Sequence, residues 1–143
     1  MSSCVLDANI AVWAVFPGPW SAEAEALLQS MTRIVVPSLW IYEVTSAVRQ
    51  MMVHVGGTEA EAERLLGLLW EIPDEIIPAD GDLMQAACRW AARLGQRAAY
   101  DAFYVALAER LELPLWTGDR ALYRQARKAG ADFVRQFPEE KNP

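Results

Sequence analysis

A chain of 143 residues that is 53% hydrophobic and 22% charged has the size and composition of one folded domain with a substantial core. Its formal net charge of −6 excludes a protein that holds nucleic acid through bulk positive charge. No run is apolar enough to span a bilayer, and the start lacks the basic and apolar regions of a signal peptide; the expected compartment is the cytoplasm, with no membrane contact.

Cys4–Leu6 reads as a first strand, followed by a short helix from Ile10 to Phe16 that Pro17, Gly18 and Pro19 stop. Ser21 is placed to cap a helix carrying Ala24, Leu27, Leu28 and Met31. Ile34, Val35 and Val36 are β-branched and make a second strand. Pro37-Ser38 then opens a long helix to about Val53, with Leu39, Val44, Ala47, Val48 and Met51 expected on its buried side. Gly56-Gly57 ends it, and Thr58 with Glu61 forms a capping box for a helix from Glu59 to Trp70. Ile76-Ile77 is a short strand. Asp80 caps the next helix, with Leu83, Ala87, Trp90, Ala91 and Leu94 inward and Gly95 at its end. A helix from Asp101 to Leu111, a strand at Leu115-Trp116, a helix from Asp119 to Lys128 stopped at Gly130, and a strand at Phe133-Val134 complete the series.

Short strands alternating with helices imply right-handed crossovers and a parallel sheet covered on both faces. The reading is therefore α/β: one domain over residues 1–143, its core at about 3–134 and a short tail at 138–143.

Cys4 and Cys88 lack the number and spacing of a zinc site or disulfide framework and read as buried, reduced thiols. His54 is the only histidine, and no GxSxG nucleophile elbow accompanies it. Residues 1–75 carry three arginines against ten acids, whereas Arg89, Arg93, Arg97, Arg110, Arg120, Arg124 and Arg127 concentrate in the second half. Most of these fit solvated helix faces; Arg97 and Arg120 are candidates for phosphate or RNA contact, since guanidinium forks match phosphate oxygens.

Ligands of an open parallel sheet bind outside the carboxyl ends of its strands. Asp7 directly follows the first strand, and Asp119 follows Leu115-Trp116 through Thr117-Gly118. Glu43 lies a turn into the helix after the second strand, and Asp101 stands at a helix start. The topology delivers these acids to one rim. Like charges gathered there repel, and hard divalent cations such as Mg2+ or Mn2+ relieve that repulsion while leaving coordination positions for water and phosphate. Singly, each acid also fits a helix cap or strand-end position.

The segments Val5-Leu6-Asp7-Ala8-Asn9, Pro37-Ser38 leading to Glu43, Tyr100-Asp101-Ala102-Phe103-Tyr104-Val105-Ala106-Leu107-Ala108 and Leu115-Trp116-Thr117-Gly118-Asp119 together resemble the PIN-domain ribonucleases, and in particular the VapC toxins of toxin–antitoxin pairs. The resemblance spans essentially the whole chain and rests on the order and separation of the motifs. It implies a single PIN-like domain with a central parallel β-sheet flanked by α-helices. It also implies that Asp7, Glu43, Asp101 and Asp119 are the metal-binding and catalytic set, with Asn9 and Thr117 as supporting polar groups. By the same resemblance the cofactor is Mg2+ or Mn2+, the substrate RNA, and the partners a cognate antitoxin and a second copy of the chain. Asp119 is followed by Arg120-Ala121-Leu122-Tyr123, so the further acid that some relatives carry there is missing.

Two small α/β alternatives lack their required residues. A receiver domain needs a lysine after its last strand, and the only lysines are Lys128 and Lys141. A haloacid-dehalogenase-type phosphotransferase needs an acid where Asn9 stands. A catalytically silent PIN-fold binding module and a metal-dependent DNA nuclease stay open. Trp90 and Trp116 read as core. Trp13, Trp20 and Trp40 read as candidates for a dimer or antitoxin surface. Met51-Met52 and the helix Glu59–Trp70 fit either core or a groove for a partner helix.

Overall fold

The structure, a computed structural model, describes residues 2–139; positions 140–143 of the expected C-terminal tail lie outside the described residues. Five strands and seven helices follow in the order β1 (Ser3–Leu6), α1 (Ala8–Val15), α2 (Ser21–Gln29), β2 (Arg33–Pro37), α3 (Leu39–Val55), α4 (Glu59–Trp70), β3 (Glu75–Ile77), α5 (Gly81–Leu94), α6 (Tyr100–Leu111), β4 (Leu115–Thr117), α7 (Arg120–Lys128) and β5 (Val134–Gln136) among the described residues.

The strands form one sheet in the order β3-β2-β1-β4-β5, every pair parallel. Val5 lies opposite Val35 on one side and Leu115 on the other. Cys4, Val5 and Leu6 in β1 and Ile34 to Val36 in β2 are buried without alternation, as strands covered on both faces must be. On the helical side, α1 packs on α2, α3 and α4, while α5 packs on α6 and α7. The chain winds outward from β1 to β2 and β3, then returns past β1 to place β4 and β5 on its other side. Strand order therefore reverses between β1 and β4, and the crevice at their carboxyl ends is the topological switch point.

Local chemistry explains the element boundaries. Thr58 Oγ1 accepts from the Glu61 amide at 3.1 Å, and Asp80 Oδ1 accepts from the Leu83 amide at 2.7 Å, so both expected caps form. The inward face of α5 is Leu83, Ala87, Trp90, Ala91 and Leu94, as its spacing predicts. Ser21 is not a cap: it is the first helical residue of α2, and Trp20 occupies the cap position without a side-chain bond. In α3 the fully buried residues are Trp40, Val44, Val48 and Met52, whereas Leu39, Ala47 and Met51 only flank the core. Trp40, 1% exposed, is thus core rather than a partner surface. Trp90 is buried as expected, and Trp116 packs against the core at its margin with Trp13 and Trp20. Cys4 is a buried thiol that burial pushes up to about 12, but Cys88 is exposed on α5, contrary to expectation, because its position falls outside that helix's apolar stripe. No helix among the described residues is long and apolar enough to cross a membrane.

Candidate active site

Asp7 directly follows β1 and stands at the cap position of α1, yet its carboxylate makes no capping bond. Its amide instead donates to the Trp116 carbonyl at 3.0 Å, carrying the β1–β4 pairing one step past the strand. Its side chain is 7% exposed, and Thr117 Oγ1 donates to its Oδ2 at 2.7 Å. The same Thr117 oxygen accepts from the Asp119 amide at 3.0 Å, so one hydroxyl ties Asp7 to the turn that carries Asp119. Asn9 closes the arrangement, its Oδ1 accepting from the Gly118 amide at 3.1 Å. The supporting roles expected of Asn9 and Thr117 have a geometric basis: both brace the β1 and β4 ends against each other.

Glycine at 118 is required by close approach. A Cβ there would lie 2.5 Å from the Trp13 ring and 3.2 Å from Asn9 Cγ.

Glu43 reaches the crevice from the second turn of α3, half-buried. The Tyr104 phenol, 0% exposed on α6, donates to Glu43 Oε1 at 2.5 Å. Asp101 lies in the first turn of α6 without capping it; Ala99 holds that position. Asp119 does cap α7, with Oδ1 accepting from the amides of Ala121 and Leu122, and its Oδ2 has no hydrogen-bond partner among the described residues.

The electrostatics connect these acids. Burial pushes the Asp7 carboxyl up to about 7; the Thr117 hydrogen bond opposes that, and the charges of Glu43 and Asp101 add to it. Glu43 is raised by burial, against the Tyr104 hydrogen bond and with the Asp101 charge. Asp101 is raised by burial and by Asp119, while Gln96 lowers it. Tyr104 is raised by burial and by the neighbouring charges of Asp7 and Glu43, which keeps it a neutral donor. The chain of influence from Glu43 through Asp7 and Asp101 to Asp119 puts the expected acids in one electrostatic neighbourhood. No arginine or lysine neutralises them: the ion pairs among the described residues are Arg33–Glu75 and Arg110–Asp80.

Such a donor set, hard oxygens with excess negative charge, suits a hard divalent cation in chemistry. In placement it is not a closed cage. Among the described residues no three acidic, histidine or cysteine side chains stand so that they could hold one ion between them. Tyr104 draws Glu43 to one side, Thr117 holds one oxygen of Asp7, and α7 engages one oxygen of Asp119.

Of the candidate basic residues, Arg97 lines a cavity of about 380 Å3 beside Asp101 and Asp119. Arg120 is exposed at the start of α7. Other arginines are engaged elsewhere, Arg93 over the Trp90 ring at 5.0 Å and Arg127 over the Tyr123 ring at 5.2 Å. Sequence reasoning assigned no role to Tyr104, although its position three residues after Asp101 on one helix face signals it. Gln96 and Gln125 carried no such signal, because their pairing joins α7 to the turn after α5. His54 is exposed near the end of α3, away from the acids, beside an apolar cleft that also includes Phe16 and Met51.

The fold has close structural relatives. Over 94% of this chain and 98% of the other, it superposes on the chain from the crystal structure of VapBC2 from Rickettsia felis bound to a DNA fragment from its promoter, with a TM-score of 0.64 and 15% identity. The sarcin-ricin loop cleaving toxin VapC20 from Mycobacterium tuberculosis matches 86% of this chain and 94% of its own with a TM-score of 0.65 and 16% identity. FitAcB from Neisseria gonorrhoeae matches 87% and 93% with a TM-score of 0.65 and 17% identity. At these identities the likeness is one of fold. A search of curated proteins finds no match. The family model described as PIN domain matches residues 4–128, a span that begins in β1 and ends with α7 and so contains every acid of the crevice; the chain belongs to the PIN-domain family.

Proposed function

We propose that this protein is a divalent-metal-dependent endoribonuclease that hydrolyses RNA phosphodiester bonds, and that it is the toxin of a toxin–antitoxin pair. The observation that carries the reading is Asp7: a buried carboxylate at the topological switch point, without a side-chain capping bond, flanked by Glu43 and Asp101 and paired with no basic side chain among the described residues. Burying such a group without a counter-charge costs stability, so its retention there points to a cation it serves.

Asp7, Glu43, Asp101 and Asp119 would hold Mg2+ or Mn2+. The bound cation would acidify a water and neutralise charge on the scissile phosphate. The chain's own residues set the frame for that chemistry. Thr117 fixes the Asp7 carboxylate by its hydroxyl and the Asp119 turn by its lone pair. Tyr104 holds one oxygen of Glu43 and leaves the other to bind or to accept a proton from the attacking water. Arg97 and Arg120, at the edge of the acidic crevice, supply the positive charge a phosphodiester needs to approach it. The reading of RNA rather than DNA is supported by the family resemblance, and the sarcin-ricin loop cleaving toxin VapC20 shares the fold.

The antitoxin reading is supported by relatives solved as toxin–antitoxin complexes and by two apolar pockets that share Phe16 and Met51 beside α3. Trp13, Phe16, Pro19, Trp20 and Met51 line one and Phe16, Ala47 and Met51 the other, a surface suited to the apolar face of a partner helix. A homodimer accords with Val53, Val55, Leu68 and Trp70 standing exposed on α3 and α4. The site of action would be the cytoplasm, where such a toxin meets its RNA.

Purified protein with Mn2+ should cut single-stranded or structured RNA, and Asp7→Asn and Asp101→Asn should abolish cutting while leaving circular dichroism unchanged. A wild-type protein that binds Mn2+ weakly, equally to the Asp101→Asn variant, and cuts no RNA would sink the enzyme reading in favour of a silent binding module. Preferential cutting of DNA would correct the substrate.

A further inference from the structure

The cavity beside Asp101 and Asp119 has walls that the metal chemistry does not use. It opens between the turn after α5 and the start of α7, with a volume of about 380 Å3, in the range of small-ligand sites. Tyr100 stands at its rim, 65% exposed, so an aromatic face is offered to solvent instead of the core. Arg97 lies on the same wall, outside the ion pairs found among the described residues. Also in the lining, Gln96 Nε2 donates to Gln125 Oε1 at 2.8 Å. Gln96 also supports Asp101. This pairing leaves the Gln96 Oε1 acceptor and the Gln125 Nε2 donors without protein partners among the described residues.

An acceptor beside amide donors is the pattern that reads a base edge, an exposed aromatic face is the element on which an unpaired base stacks, and a guanidinium fork grips phosphate. We propose that this cavity is a nucleobase subsite: one unpaired base of the substrate strand stacks on Tyr100, its edge pairs with Gln96 and Gln125, and Arg97 holds a flanking phosphate. The subsite shares Asp101 and Asp119 with the acidic crevice, so the base it holds fixes which phosphodiester lies over the acids. This rests on the ribonuclease reading above and deepens it, because it makes cleavage sequence-selective at a fixed step from the cut.

A random-sequence single-stranded RNA pool is cut with Mn2+ and the new ends are sequenced. Wild-type protein should enrich one base at a fixed distance from the cut, and Gln125→Ala should flatten that enrichment about tenfold. Tyr100→Ala should raise KM about tenfold more than it lowers kcat, and Tyr100→Phe should restore KM, since the ring and not the hydroxyl stacks. Cleavage with no base enrichment, or with the same enrichment in Gln125→Ala, overturns the subsite while leaving the ribonuclease reading standing. If wild-type protein cuts no RNA, the ribonuclease reading fails and the subsite is judged without catalysis. The side-chain amide resonances of Gln96 and Gln125 are then followed as 15N-labelled protein is titrated with the four nucleoside 5′-monophosphates. Shifts with one base and none with ribose 5-phosphate support the subsite; no shifts, or equal shifts with ribose 5-phosphate, overturn it.

Discussion

Tyr104 and Glu43, 61 positions apart in the chain, are joined across the crevice by a 2.5 Å hydrogen bond in which the phenol donates to Glu43 Oε1. The phenol is buried and lies within the field of Asp7 as well, so it orients one acid while staying a neutral donor beside two. Tyr104→Phe keeps the ring in place and removes the only side-chain donor to Glu43 found among the described residues. Loss of such an orienting partner costs about 10- to 100-fold in metal affinity or activity. The expected outcome is Mn2+ binding weakened to that degree by calorimetry, with little change in melting temperature. Unaltered Mn2+ affinity would remove Tyr104 from the site.

Thr117 serves two groups through one oxygen, donating to Asp7 and accepting from the Asp119 amide. Thr117→Val keeps shape but leaves both unpaired, in a place with no exposure to water. Leaving buried polar groups unsatisfied costs about 1–3 kcal/mol each, so urea unfolding should show a loss of a few kcal/mol. Thr117→Ser should recover most of it. Equal stability of Val and Ser variants would contradict the bridging role.

Asp7 makes metal-free stability depend on pH in a fixed direction. Its folded-state value of about 7 lies above the ordinary 3.8, so between those values the folded chain binds the extra proton. Stability from this group is fully present below about 4 and is lost as pH rises through 7. Glu43 and Asp101, also raised, act in the same sense. Asp7→Asn removes the charge while keeping an acceptor for Thr117. In EDTA it should melt several degrees above wild type at pH 8.5 and near wild type at pH 4, with an upper bound of roughly 4 kcal/mol for the Asp7 charge. Added Mn2+ should raise the wild-type melting temperature at pH 8.5 and leave the variant's unchanged. A variant less stable than wild type at high pH would show that Asp7 is a structural acid.

Gly118 is fixed by its neighbours. A methyl group would meet the Trp13 ring at 2.5 Å, and the ring is itself packed beside Phe137 at 6.1 Å. Gly118→Ala should therefore displace Trp13 and loosen the Asn9–Gly118 bond, costing about 1–3 kcal/mol as overpacking does. Thermal denaturation would register it; an unshifted melting temperature would mean the ring moves freely.

Local rules were enough for most elements, because caps and periodicity act within a few residues. Thr58, Asp80, Gly95 and the inward face of α5 all stand as their spacing predicts. Ser21 missed because a cap requires the chain to enter in extended geometry, and the turn through Gly18 and Trp20 starts the helix one residue earlier. Trp40 missed because an early position on α3 says nothing about what lies opposite it, which the packing of α3 against β2 and α1 decides.

That Asp7 and Asp119 stand at one edge was legible in the sequence, since a parallel sheet sends the carboxyl ends of β1 and β4 to the same side; Asp101, at the start of a helix that follows another helix, joins their electrostatic neighbourhood only through tertiary packing. Which duty each acid has was not legible. Asp7 and Asp119 both precede a helix, yet only Asp119 caps, because Thr117 reaches Asp7 from β4, the strand seated beside β1 when the order reverses. Tertiary packing likewise brings Tyr104 on α6 to Glu43 on α3, and Gln96 after α5 to Gln125 on α7. Sequence determines what a residue can donate, accept or bury; only tertiary structure decides which partner stands within 3 Å of it, because that distance is set by chain segments far away in sequence.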